Sequence, residues 1–501
     1  MIQKILKNIE DNTVYEIAKK TPNSFFSTIS QQTNNSIYLK REDKQDVFSF
    51  KIRGAYKKIS SLSAAIQQKG IIAASAGNHA QGVAISAKKL KIKAIIVMPA
   101  PTPKIKVEAV KSYGAKVILM GDCYDDAYDY AIQLAKDKKL TFIHPYDDIE
   151  VISGQATIAK EITEDFDKID YCFIPVGGGG LLAGMTTYLK EKMPNTKIIA
   201  VEPENSACFE KAFKQRKRVK LDQVGIFADG VAVKQIGKIP FELTKNKVDD
   251  CILVTTDEIC AAIKDIYDET RAIAEPAGGL SLAGIKKYIE QKKIKNKICI
   301  GLLCGANINF HRLRHISERA EIGEKHEALF AIEIPEEKGS FLSFCKLLQN
   351  RFVTEFNYRY NTSEKAHIFV GIQLNDNEKP SDLINYFNEH NYNALDLSSN
   401  EMAKLHIRYM VGGKSKLITN EKLYRFQFPE RPKALLNFLS KLGSIFNISL
   451  FHYRNHGAAY GRILIGIQIQ EEKLDLFKNL LTEINYVYFD ETNNPAYKLF
   501  L

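Results

Sequence analysis

Ile71-Ile72-Ala73-Ala74-Ser75-Ala76-Gly77-Asn78-His79 changes character twice within a few residues. Its four leading apolar residues lack the alternation of a half-solvated strand, so they read as a strand covered on both faces. A turn of small residues follows, and from Asn78 to Leu90 the apolar positions return at helical spacing. The theme recurs. Ala94–Met98 is a second apolar strand, stopped by Pro99 and Pro101; a helix over 104–112 leads to Gly114 and the strand Lys116–Leu119. Cys172–Val176, Ile198–Val201 and Ile298–Leu303 repeat it. From about residue 70 to 310 this alternation predicts an α/β unit on parallel sheet, which takes ligands at the carboxyl ends of its strands. Ser75–His79, Gly177–Gly180 and Cys304-Gly305-Ala306-Asn307 each follow a strand, which places them on one crevice.

The composition excludes more than it identifies. The chain has 501 residues, 45% hydrophobic and 26% charged, enough for two or three domains of ordinary globular make-up. No window approaches the roughly 20 apolar residues of a membrane span, and MIQKILKNIEDNTVYEIAKK lacks a signal-peptide core. The net charge of +11 comes from lysines spread among nearly as many acids, which argues for a solvated surface and against a nucleic-acid partner. Eight cysteines without a Cys-x-x-Cys pair indicate neither zinc nor a disulfide framework. A cytoplasmic protein with reduced thiols is expected.

Three short motifs carry chemistry. In Ser49-Phe50-Lys51-Ile52-Arg53-Gly54 a lysine amine sits at the mouth of a helix, with the cation Arg53 two residues on and Gly54 permitting close backbone approach. Lysines that form Schiff bases must lose a proton, which desolvated, cationic or polar pockets promote. Taken alone, Lys51 is one surface lysine among many. Gly177-Gly178-Gly179-Gly180 follows a strand and precedes the helical run Leu181–Lys190, where bare amides can converge on a phosphate. A plain turn, or a dinucleotide site, is the rival reading; the spacing is not a clean G-x-G-x-x-G. Asn78 and His79 at a helix start can simply be caps, and Cys304 a small buried thiol. Together, an amine, an anion nest and a polar turn suit a pyridoxal-phosphate enzyme.

The last third is built differently. Pro335–Phe344 resembles Pro429–Phe438, and each leads to a strand, Val353–Arg359 and Ile448–Arg454, and then to a second alternating run, His367–Leu374 and Arg462–Gln468. A strand, helix, strand, strand, helix order recurring after about 95 residues is a duplicated α+β unit. Turn signals in His406–Lys416, with Gly412-Gly413, mark the join. The expected division is 1–325, 326–416 and 417–501.

The runs LKREDKQDVFSFKIRGAY, ASAGNHAQGVA, VMPAPTPKIK, DDIEVISGQATIAKEI, PVGGGGLLAG, VGIFADGVAVKQIG, RAIAEPAGGLSLAG and LLCGANINFHRLRHISER closely resemble the biosynthetic threonine dehydratases, threonine ammonia-lyases of the fold type II pyridoxal-phosphate class. EEKGSFLSFCKLL, VTEFNYR, EMAKLHIRYMVGGK, NISLFHYR and DETNNPAYKLF extend the resemblance through the repeated tail. It implies a two-subdomain catalytic fold like the tryptophan synthase β chain, followed by two ACT-like (ferredoxin-like) regulatory units. It implies pyridoxal 5'-phosphate as cofactor, L-threonine as substrate, 2-oxobutanoate and ammonia as products, inhibition by isoleucine opposed by valine, and a homotetramer.

By the same resemblance, Lys51 holds the cofactor, beside Phe50, and transfers the substrate proton. Asn78 bonds the ring hydroxyl, and Gly177, Gly178, Gly179, Gly180 and the Leu181 amide hold the phosphate. Ser75, Ala76, Gly77, Asn78 and His79 grip the substrate carboxylate, and Cys304 stands beside the ring nitrogen. Cysteine replaces the commoner serine at 304, a residue familiar in serine dehydratases, which leaves threonine-versus-serine preference open. Ala277 and Gly279 replace serine and alanine of the commoner EPSGALALAG. Glu202 is present where related enzymes hold a divalent ion, but Cys208 stands where a second acid is expected, so no metal is expected. An L-serine dehydratase, an amino-acid racemase, and a sensor with a dead catalytic unit are the competing functions.

Overall fold

The computed structural model describes residues 1–335, 343–344, 347–348, 351, 353–357, 365–375, 378–409, 420–429, 445–454 and 460–501. Most of the two repeated helices expected after Pro335 and Pro429, and the part of the join at 410–416, lie outside the described residues. The chain divides into two compact units, Met1–Ala320 and Glu321–Leu501.

The first unit contains two sheets, as the two-subdomain expectation requires. Four parallel strands stand in the order Lys116–Leu119, Ala94–Met98, Ile71–Ala74, Thr141–Phe142. Six others run Asn23–Phe25, Ser36–Arg41, Ile298–Leu303, Tyr171–Pro175, Lys197–Pro203, Asp250–Val254, parallel except for the edge pair of the first two. Ile71–Ala74 is fully buried, as its unbroken apolar run requires. Alternation alone cannot divide strands between sheets, because each half has the same periodicity.

Helices Lys51–Ser60 and Ile149–Asp165 cross at a pair of glycines. A Cβ on Gly154 would come within 2.6 Å of the Gly54 Cα, and one on Gly54 within 2.7 Å of the Val151 carbonyl. Beneath this crossing Arg53 is fully buried between two carboxylates, Nε 2.8 Å from Glu42 and Nη1 2.5 Å from Glu161, which also pairs with buried Lys40 at 2.8 Å. The Arg53 charge is therefore spent in the core rather than lent to Lys51.

The second unit repeats itself in detail. One antiparallel sheet is ordered Val353–Asn357, Lys365–Gln373, Glu327–Pro335, Ala394–Asp396; the other is ordered Asn447–Arg454, Tyr460–Gln468, Glu421–Pro429, Val487–Asp490. Register shifts fall at matching places, between Val353 and Glu355 and between Ile448 and Leu450. The Leu329 amide donates to Ser398 Oγ at 3.0 Å, and the Leu423 amide to Thr492 Oγ1 at 3.1 Å. Asn400 donates to Asn494 between the copies at 3.0 Å. Leu329, Phe369, Leu423, Leu464 and Phe500 share one core, so the two copies are joined by apolar burial as well as by the asparagine pair.

Candidate active site

Residues 48–50 are hooked onto 304–306 by short backbone pairing: the Phe50 amide donates to the Cys304 carbonyl at 3.2 Å and the Ala306 amide to the Phe48 carbonyl at 2.9 Å. Ser49 and Gly305 form the bridge between them. Lys51 then opens helix Lys51–Ser60 with its amine inside the crevice, 3.4 Å from the Pro145 carbonyl and 5.2 Å from the centre of the Phe50 ring. Burial pushes the amine down to about 8, with Cys304 and Glu275 partly opposing the shift.

The next residue along from Pro145, Tyr146, lies against the glycine loop. A Cβ on Gly178 would sit 2.1 Å from the Tyr146 ring, and one on Gly180 3.0 Å from its Cα. A Cβ on Gly177 would press the Val231 Cα at 2.8 Å. Gly179 caps helix Gly180–Lys192 at φ +88, the left-handed region that glycine alone adopts freely. Among the described residues no acceptor takes the amides of Gly177 through Leu181. A row of unclaimed N–H groups at a helix start, walled in where any side chain would collide, fits a bound phosphate. With the Lys51 amine beside it, the crevice fits pyridoxal phosphate.

Ser75 ends the buried strand. Its Oγ accepts from the Gly77 amide at 3.2 Å, and Gly77, not a side chain, caps helix Asn78–Leu90. Among the described residues the amides of Ala76, Asn78 and His79 have no acceptor, which suits a carboxylate. The His79 ring points elsewhere: Nε2 lies 2.9 Å from the Ile143 carbonyl and must carry the proton. Burial and then Lys51 push His79 down to about 3, so it is neutral.

The Asn78 side chain is no cap either. Its Nδ2 donates to Glu275 Oε1 at 2.6 Å and its Oδ1 accepts from Asn307 Nδ2 at 2.7 Å. Sequence reasoning missed Glu275 and Asn307 as site residues, although both lie inside quoted motifs. Glu275 is buried at the start of helix Pro276–Lys292; burial and then Asp229 push its carboxyl up to about 7, against the Asn78 and Asn307 hydrogen bonds. Gly305 is glycine because a Cβ there would lie 2.4 Å from Glu275 Oε1.

Cys304 is buried and its thiol donates to the Ala277 carbonyl at 3.1 Å. Burial, with Glu275 adding, holds it protonated far above the ordinary thiol range. Glu202 is also buried, and burial pushes it up to about 8; its carboxyl accepts from the Phe209 and Glu210 amides at 2.9 and 2.7 Å. The Cys208 thiol reaches the Gly177 carbonyl at 3.6 Å.

The family model described as pyridoxal-phosphate dependent enzyme matches residues 15–305. The C-terminal regulatory domain of threonine dehydratase matches twice, at 318–407 and 412–501. The chain is 50% identical to the biosynthetic L-threonine dehydratase IlvA of Pasteurella multocida, over 99% of this chain and 97% of that one. It is 49% identical to that of Escherichia coli K12, over 97% and 95%. The processed threonine deaminase isoform 2 of Solanum lycopersicum superposes with a TM-score of 0.63 at 44% identity, covering 64% of this chain and 88% of the other. The likeness spans both the unit that holds the crevice and the duplicated tail: this chain belongs to the family of biosynthetic threonine dehydratases, pyridoxal-phosphate enzymes of fold type II.

Proposed function

We propose that this enzyme removes water from L-threonine, giving 2-oxobutanoate and ammonia, as the first step of isoleucine biosynthesis. The observation that carries this is the desolvated Lys51 amine beside the unclaimed amides of Gly177–Leu181, bridged by Pro145 and Tyr146. Pyridoxal phosphate, when bound, supplies the sink for the electron pair left at the substrate α-carbon.

Lys51, neutral above about pH 8, takes the α-proton. The amides of Ala76, Asn78 and His79, with Ser75, hold the substrate carboxylate. Asn78 would hold the cofactor ring hydroxyl, and Phe50 would stand beside the ring. Cys304 would stand at the ring nitrogen; its hydrogen goes to the Ala277 carbonyl, so the thiol would offer that nitrogen neither a proton nor a negative charge. We assign no metal to the reaction: Glu202 is engaged by two backbone amides, and Cys208 takes the place of a second acid.

In this reading residues 1–325 are the catalytic domain, and 326–416 and 417–501 sense isoleucine as inhibitor and valine as its opponent. The enzyme works as a cytoplasmic homotetramer without a nucleic-acid or membrane partner. Among the described residues no helix is long and apolar enough to cross a membrane. The test is 2-oxobutanoate formation from L-threonine with and without L-isoleucine. Isoleucine-suppressed activity is expected; no keto acid from folded, cofactor-loaded protein overturns the reading.

A further inference from the structure

Residues 224–237 touch several parts of the first unit at once. Val231 walls Gly177, Ile236 walls Gly179, and the Gly237 amide donates to the Gly178 carbonyl at 3.1 Å, so this segment supports the glycine loop. Midway along it, the Asp229 carboxylate is divided between two cations. Oδ2 meets Lys106 Nζ at 2.8 Å, and Oδ1 lies 3.4 Å from Arg312 Nη1.

These cations come from two separate helices. Lys106 is on helix Lys104–Ser112, which packs with the four-stranded sheet that also carries Ser75–His79. A second pair, Asp125 to Lys234 at 3.3 Å, joins the same two regions with the signs exchanged. Arg312 begins helix Arg312–Gly323, within which the chain passes from the first compact unit to the second. Arg312 is only 11% exposed; it also donates to the Ile226 carbonyl at 3.3 Å and lies 5.8 Å over the Phe227 ring. It is fastened to this segment by three kinds of contact.

We infer that Asp229 is the residue through which the regulatory unit acts on the crevice, by being shared between Arg312 and Lys106. This rests on reading residues 326–501 as an effector-sensing unit. A helix of this length is a rod of about 18 Å, so displacement at its far end moves Arg312. Arg312 carries Asp229 with it, and Lys106 then loses or keeps its carboxylate. The four-stranded half, with its carboxylate-gripping turn, is released or held accordingly, and the glycine loop shifts with its wall.

The test compares wild-type holoenzyme with Arg312→Met, Lys106→Met and the isosteric Asp229→Asn, measuring L-threonine turnover across an L-isoleucine titration. Thermal unfolding checks that each variant is folded. The isoleucine concentration for half-inhibition is expected to rise about fivefold or more in Arg312→Met, with turnover in its absence close to wild type because the Asp229–Lys106 pair is kept. Lys106→Met and Asp229→Asn, which break that pair, should blunt inhibition and also lower turnover without isoleucine. Hydrogen exchange in Lys104–Ser112 should respond to isoleucine in wild type and lose that response in Arg312→Met. An inhibited wild type with unchanged half-inhibition in folded variants overturns the coupling alone. A wild type that isoleucine neither binds nor inhibits removes the regulatory reading, and the coupling with it.

Discussion

Asn307 Nδ2 donates to Asn78 Oδ1 at 2.7 Å and to the Val47 carbonyl at the same distance, joining three segments that the sequence keeps far apart. A carbonyl only accepts, so the Asn307 amide has one orientation, and the Asn78 oxygen is fixed by it. The Asn78 nitrogen is fixed in turn by Glu275. Neither end of the Asn78 amide is free to flip.

Releasing either end should loosen the cofactor. Asn307→Ala and Glu275→Ala are each expected to weaken pyridoxal-phosphate binding about tenfold, the worth of one buried hydrogen bond. Glu275→Gln, which keeps an acceptor oxygen, should lose much less. Equilibrium dialysis and the visible spectrum of the loaded enzyme read both effects. Equal affinity in all three variants would show that Asn78 is held by other means.

Lys51→Ala should abolish keto-acid formation while leaving the fold intact, since its amine makes one weak bond. In wild type, cofactor capture by the apoenzyme needs the neutral amine. With that amine pushed down to about 8, the capture rate should climb from about pH 7 to about pH 9 and then level. A climb centred near the ordinary lysine range would mean that burial does not control Lys51.

Gly178→Ala places a methyl 2.1 Å from the Tyr146 ring. Overpacking of this kind costs about 1–3 kcal/mol, and here it also displaces an amide of the phosphate nest. Cofactor affinity should fall, and Tyr146→Ala in the same chain should restore part of it. A double-mutant cycle on binding and urea unfolding separates the two effects.

Arg53→Met leaves Glu42 and Glu161 facing each other in the core, at a cost of about 3–5 kcal/mol. Burial opposes Glu161 ionisation, but Arg53 and Lys40 outweigh it and hold its carboxyl below the usual range. That contribution is therefore present at neutral pH and lost as the pH falls below about 4. Urea midpoints of wild type and variant should converge in acid. A constant gap down to low pH would place the stabilisation elsewhere.

Much of this architecture was legible because it rests on local pattern. Ile71–Ala74 and Ile298–Leu303 have the expected bounds, and the doubled tail keeps its strand order wherever it is described. The quoted motifs do meet: 48–50 pairs with 304–306, and Asn307 reaches Asn78. The division into two sheets came from the resemblance and not from the residue pattern, because pairing partners leave no mark on periodicity. Nor was the fate of Arg53, since two residues along a helix turns a side chain to another face. Glu275 stayed hidden because a carboxylate before Pro276 reads as a helix start until the fold brings Asn78 to it.

The six-stranded sheet also sets a timetable. Ser36–Arg41 has the edge strand Asn23–Phe25 on one side and Ile298–Leu303 on the other. At about 5–20 residues per second, the ribosome delivers that second neighbour about 13 to 50 s after Arg41 emerges. For all that time the buried Lys40 and the apolar Ile37 and Leu39 wait without their sheet. The four-stranded half, whose strands fall between residues 71 and 142, has all its pieces much sooner. Synthesis thus finishes one wall of the crevice long before the other, and nascent chains stalled ahead of residue 298 are where aggregation and chaperone capture should concentrate.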